Sequence, residues 1–76
     1  MQKVQITLKS VQDVRKFVNE VTMVDFDVDL EQGRYIVDAK SIMGIFSLDL
    51  SKPIKVQVHA DDASEFMAGI DSFIVK

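Results

Sequence analysis

Val24-Asp25-Phe26-Asp27-Val28-Asp29-Leu30-Glu31-Gln32-Gly33-Arg34-Tyr35-Ile36-Val37 decides between the fold classes open to this chain. Apolar and acidic residues alternate from Val24 to Glu31. That period of two places Val24, Phe26, Val28 and Leu30 on one face of an extended strand and the carboxylates on the other. Gln32-Gly33 then offers a turn residue that accepts positive φ, and Tyr35-Ile36-Val37 continues as a short third strand, so the segment predicts a β-hairpin. A hairpin with one acidic face needs its apolar face covered.

The cover is found on either side. Towards the N-terminus, Val4, Ile6 and Leu8 alternate with polar residues, which predicts strand one over about 2–8. At Ser10 the period changes: Val11, Val14, Phe17, Val18 and Val21 line one face of a helix over about 11–22, with Ser10 and Asp13 in capping-box positions. Towards the C-terminus, Ser41–Leu48 reads as a short helix capped by Ser41. Pro53 opens a fourth strand, where no ladder donor is needed, and Ile54, Val56 and Val58 form its apolar side. After Asp61-Asp62, Ala63, Phe66, Met67, Ile70, Phe73 and Ile74 return to the helical period. The order is β-α-β-β-α-β-α, an α+β pattern, and the absence of any Pro/Gly/Ser-rich linker predicts a single domain over 1–76.

Composition narrows the function. The 76 residues are 47% hydrophobic and 28% charged, which suits a globular chain whose folded surface should be roughly 4,700 Å². No cysteine is present, which removes disulfides, thiol catalysis and Cys-ligated metals, and the single histidine, His59, leaves no histidine cluster. A net charge of −3 argues against nucleic acid and against a polybasic membrane patch. Met1-Gln2-Lys3-Val4 lacks the apolar core of a secretory signal, so a cytoplasmic location is expected. No nucleophile, base and orienting group can be assembled, so the expectation is a protein that is not an enzyme, carries no cofactor and recognises protein partners rather than a small-molecule substrate.

Lys40-Ser41-Ile42-Met43-Gly44-Ile45-Phe46-Ser47-Leu48 resembles the K-S-I-M-G-x-x-S-L signature around the regulatory serine of the HPr family, phosphocarriers of the bacterial phosphotransferase system. The close resemblance covers about Ala39 to Leu50, and the element order agrees over the rest. It implies an open-faced sandwich, with a four-stranded antiparallel sheet ordered 1-4-2-3 and the helices on one face. The family's phosphoacceptor histidine belongs to a G-x-H-A-R-P-type loop between strand one and the first helix. Here that connection is Leu8-Lys9-Ser10-Val11, shorter by about six residues relative to the family pattern and without histidine, glycine or proline. Neither the histidine nor its arginine carries over. Neither Lys9 nor Ser10 forms a phosphoryl donor as labile as an imidazole.

Ser41 is the residue that both the local chemistry and the resemblance single out. A serine at a helix N-cap accepts a backbone N–H, and the same end favours a phosphate. Conversely, capping alone would account for its presence. In the family's Gram-positive branch this serine is the target of an HPr-type kinase, and the modified form binds a transcriptional regulator of carbon catabolism. At ~100° per residue, the apolar residues Ile42, Met43, Ile45, Phe46 and Leu48 span an arc of about 220°, wider than a helix on a sheet buries. Ile42, Met43, Phe46 and Leu48 are therefore candidate partner-binding residues, with Met43 or Leu48, at the ends of the arc, expected to stay exposed. His59 reads as a surface histidine beside carboxylates. The acidic stripe Asp25, Asp27, Asp29 and Glu31, spaced about 6.5–7 Å apart along an open face, is too spread for neighbouring carboxylates to share one cation. With the strand order that the resemblance implies, it should instead face Lys55 and His59 of strand four. The function expected is an HPr-like, Crh-like regulatory adaptor that acts through the Ser41 helix without carrying phosphohistidine. The alternative is a protein-binding module of the same fold unrelated to sugar transport.

Overall fold

Residues 1–75 are described by a computed structural model, with β1 at Gln2–Ile6, α1 at Val11–Thr22, β2 at Val28–Gln32, β3 at Tyr35–Asp38, α2 at Ile42–Phe46, β4 at Ile54–Val58 and α3 at Ser64–Gly69. A 3₁₀ turn at Asp71–Phe73 follows. The four strands form one antiparallel sheet in the order β1-β4-β2-β3. The expected α+β architecture and strand order are both present. The accessible surface is 4853 Å², close to the value expected from size.

The registers explain where the strands stop. β1 and β4 pair from Gln2 opposite Val58 to Ile6 opposite Ile54. The ladder ends there because Thr7 turns its N–H away from β4, donating to Phe73 O at 2.9 Å. β1 therefore stops at Ile6, two residues short of the 2–8 span read from alternation, although Leu8 is still fully buried. β2 begins at Val28, not Val24. Residues 23–27 serve to close α1: Met23 and Val24 donate to the last carbonyls of the helix, and Phe26 meets the ring of Phe66 edge-on at 5.9 Å. The alternation of Val24 and Phe26 thus reflects packing of a bend rather than an extended strand.

The hairpin turn is as expected. Gly33 has φ of +60°, and no other residue type takes a positive φ among the described residues. With Gly33 first of the two turn residues, this is the geometry of a type II′ turn, whose twist matches that of its strands. α1 matches its predicted span. The expected last helix is instead divided: α3 ends at Gly69, and the 3₁₀ turn carries Phe73 against Phe17, ring centroids 6.3 Å apart. Ile74 then bridges to Ile6 on the outer side of β1. Phe17 lies at the centre of the apolar layer, between the helices and the inward residues Ile6, Leu30, Ile54, Val56 and Val58, and that layer encloses no polar side chain among the described residues. No helix among them is long and apolar enough to cross a membrane.

Candidate functional site

Ser41 sits where β3 turns into α2. Its backbone is extended, its N–H donates to Asp38 O at 2.9 Å, and its hydroxyl oxygen accepts from Gly44 N at 3.1 Å. Lys40 N donates to Asp38 Oδ1 at 2.9 Å, so Asp38 holds the bend from below. Gly44 has a spatial reason to be glycine. A Cβ there would lie 3.2 Å from Ser41 Oγ and 3.2 Å from Val37 Cβ, crowding both the capping hydroxyl and the strand on which the helix rests. The sequence Ser-x-x-Gly is thus read out as one unit.

α2 rests on Ile45, which is fully buried, and leaves its other apolar residues in solvent: Met43 is 81% exposed, Phe46 42% and Ile42 40%. Leu48 is a correction. At 6% exposure it belongs to the core, because the chain after Phe46 tightens into i to i+3 bonds, Ser47 N to Gly44 O and Leu48 N to Ile45 O, that tuck Leu48 inward. Of the four candidate partner-binding residues, Ile42, Met43 and Phe46 form an exposed apolar surface beside Ser41, and Leu48 supports it from beneath. Ser41 itself is exposed.

Phe46 also overhangs a cleft of about 530 Å³ that it shares with Leu8, Lys9, Val11 and Leu50. Sequence reasoning missed this cleft because Val11 continues the apolar spacing of α1. As the first residue of the helix, however, Val11 projects past the sheet and stays exposed. The short connection between β1 and α1 forms the floor. Ser10 accepts from Asp13 N at 3.1 Å, and Asp13 Oδ2 accepts from Lys9 N at 2.9 Å. This closes the capping box one residue earlier than its usual reciprocal bond. The loop ends in a helix cap with no imidazole near it.

His59 lies elsewhere, at the end of β4 on the sheet face away from the helices. Its Nε2 is 2.9 Å from Asp29 Oδ2, and its N–H donates to Asp27 O at 3.0 Å. Asp27, Asp29, Asp38 and His59 line a shallow recess whose charge is predominantly negative. The expected pairing across the strands holds for Lys55, opposite Glu31, and for His59 with Asp29; Asp25 lies in the bend before β2 and takes no part. Gln57 donates to Glu31 between them. No group of three or more acidic or histidine ligands among the described residues is arranged to hold a metal ion.

Comparison with known proteins places this geometry. The family model described as "PTS HPr component phosphorylation site" matches residues 3–76. The chain is similar in structure to HPr-C-His from Thermoanaerobacter tengcongensis, at 28% identity over 95% of this chain and 89% of that one, with a TM-score of 0.78. It is similar to the phosphocarrier HPr of Bacillus anthracis at 28% identity over 97% and 94% of the two chains, TM-score 0.71. Crh, the catabolite repression protein of Bacillus subtilis, solved as a dimer with a swapped domain, aligns at 26% identity over 93% and 88%, TM-score 0.65. No curated protein sequence matches the chain.

Proposed function

The chain belongs to the HPr family, and from that premise we propose that it is a regulatory member, one that does not carry phosphohistidine and works through the surface headed by Ser41. The observation that carries this reading is the pairing of an exposed serine hydroxyl with the exposed apolar residues Ile42, Met43 and Phe46 on the next helical turn. A kinase of the HPr type would transfer the γ-phosphoryl group of ATP to Ser41 Oγ. The bond between the β,γ-bridging oxygen and γ-phosphorus breaks, the Oγ–P bond forms, and the hydroxyl proton passes to the kinase's base. The product adds about −1.5 to −2 charges and strong acceptor oxygens next to an apolar patch, a combination that a regulator can distinguish from the unmodified form. The absence of a phosphoacceptor role is supported by the capped Lys9–Ser10 connection and by the acidic surroundings of His59. Residues 1–76 act in this reading as one domain that serves a kinase and a transcriptional regulator.

Intact mass spectrometry tests both halves. With an HPr-type kinase and ATP, wild type should gain one phosphate and Ser41→Ala none. With phosphoenolpyruvate and the first enzyme of the phosphotransferase system, neither should gain an acid-labile phosphate. Uptake on His59 would restore the phosphocarrier role. If wild type stays unmodified by a kinase that modifies an HPr under the same conditions, the chain is better described as a binding module unconnected with sugar uptake.

A further inference from the structure

The rest of the chain treats the two edges of the sheet differently. Along β1, the C-terminal segment closes the outer side: Thr7 N donates to Phe73 O at 2.9 Å and Val75 N to Gln5 O at 2.8 Å, and Lys3 adds a charge to the strand. Both are ordinary ways of blunting an edge. β3 has neither. It contains no lysine, proline or glycine, and its first two residues, Tyr35 and Ile36, are 68% and 65% exposed. Its ladder runs from Gln32 opposite Tyr35 to Asp29 opposite Asp38, and Ala39 N continues it by donating to Val28 O. Because bonded and non-bonded pairs alternate, Tyr35 and Val37 face β2 with their backbone groups, and the N–H and C=O of Ile36 point away from the sheet.

We propose that β3 pairs with β3 of a second copy of this chain, antiparallel, about a twofold axis at Ile36, to make one continuous sheet. The register follows from the residues. Arg34, Ile36 and Asp38 lie on the face away from the helices, since Val37 sits opposite buried Leu30 on the inward face. A dyad at Ile36 sets Ile36 against Ile36, lets their outward N–H and C=O groups bond reciprocally, and places Arg34 of each copy opposite Asp38 of the other. A dyad at Val37 would set Ile36 against Asp38, and one at Tyr35 would set it against Arg34. Only the Ile36 register puts an apolar pair at the centre and opposite charges on both flanks. The same surface serves both copies, as a twofold interface requires. Such an axis stands normal to the sheet, so the helices of both copies share one side. The proposal is independent of whether Ser41 is modified.

Sedimentation equilibrium of the full chain, taken to millimolar concentration, tests it. A monomer–dimer equilibrium is expected, weakened about tenfold or more by Ile36→Lys, the charge that natural edges use against pairing. Arg34→Glu and Asp38→Lys should each weaken it, and the double exchange should restore it. Asp38 also holds Lys40 N, so recovery in the double variant separates cross-strand pairing from simple damage to the bend. Hydrogen exchange should show protection of the Ile36 amide that rises with protein concentration. A chain that stays monomeric overturns the proposal and leaves the edge to a foreign strand. A dimer indifferent to Ile36→Lys, or one whose new protection falls on β1, overturns it as well.

Discussion

Two aspartates hold the turns on either side of β4 by binding the serine two residues on. Asp49 Oδ1 accepts from the hydroxyl of Ser51 at 2.5 Å and from its N–H at 3.0 Å, while Asp62 Oδ1 accepts from the N–H of Ser64 at 3.2 Å and from its hydroxyl at 3.0 Å. These bonds favour the ionised carboxylates. The side-chain bond dominates at Asp49 and the backbone bond at Asp62, and both groups fall below the ordinary value of 3.8. Unfolding returns each to that value, so below it the unfolded chain takes up protons first. Their contribution is complete above pH 3.8 and disappears as pH falls through the lowered folded values. A thermal melt series from neutral pH into that range should therefore show wild type losing more of its midpoint temperature than the Asp49→Asn, Asp62→Asn double variant. Parallel curves would mean that the two bonds do not persist in solution.

At the scale of the element, the hairpin depends on Gly33 and α2 depends on Ser41 with Gly44. Gly33 has open space around its missing side chain, so only its φ of +60° resists substitution. Gly33→Ala should destabilise the fold by about 1 kcal/mol. The loss should appear in urea unfolding and in faster exchange of the β2–β3 amides, while α1 is unaffected. Ser41→Ala removes the cap of a five-residue helix, a loss of about 1 kcal/mol that urea unfolding would register. A cost near zero would show that packing on Ile45 alone holds α2 in place.

For the whole molecule, the division between core and surface runs through α2. Met43 touches solvent and Leu48 lies among the residues that close the core, though both are apolar and only five positions apart. Met43→Asp should leave the unfolding midpoint nearly unchanged and weaken binding of the kinase or regulator. Leu48→Ala should cost about 2–5 kcal/mol through the lost side chain and the cavity it leaves, a large share of what a domain of this size possesses. Equal effects on stability would mean that Met43 is packed and that the exposed surface is smaller than described.

The element types, the hairpin turn, the span of α1 and the N-cap serines were legible in the sequence because each rests on local physics: a period of two or 3.6, a left-handed glycine, a hydroxyl one turn before a free N–H. Strand order came from resemblance rather than periodicity, since alternation names a face and never a neighbour. Only the tertiary structure decided the rest. Val24 and Phe26 keep the strand pattern while forming a bend, because the ring of Phe66 rewards the same inward direction. Leu48 and Met43 lie at opposite ends of one apolar arc, and which end is covered depends on how the chain leaves α2 towards β4. Val11 continues an apolar stripe past the edge of the layer it packs on. The open stretch of β3 at Ile36 is a property of topology, because the C-terminal segment reaches β1 and, among the described residues, no strand pairs with the outer side of β3.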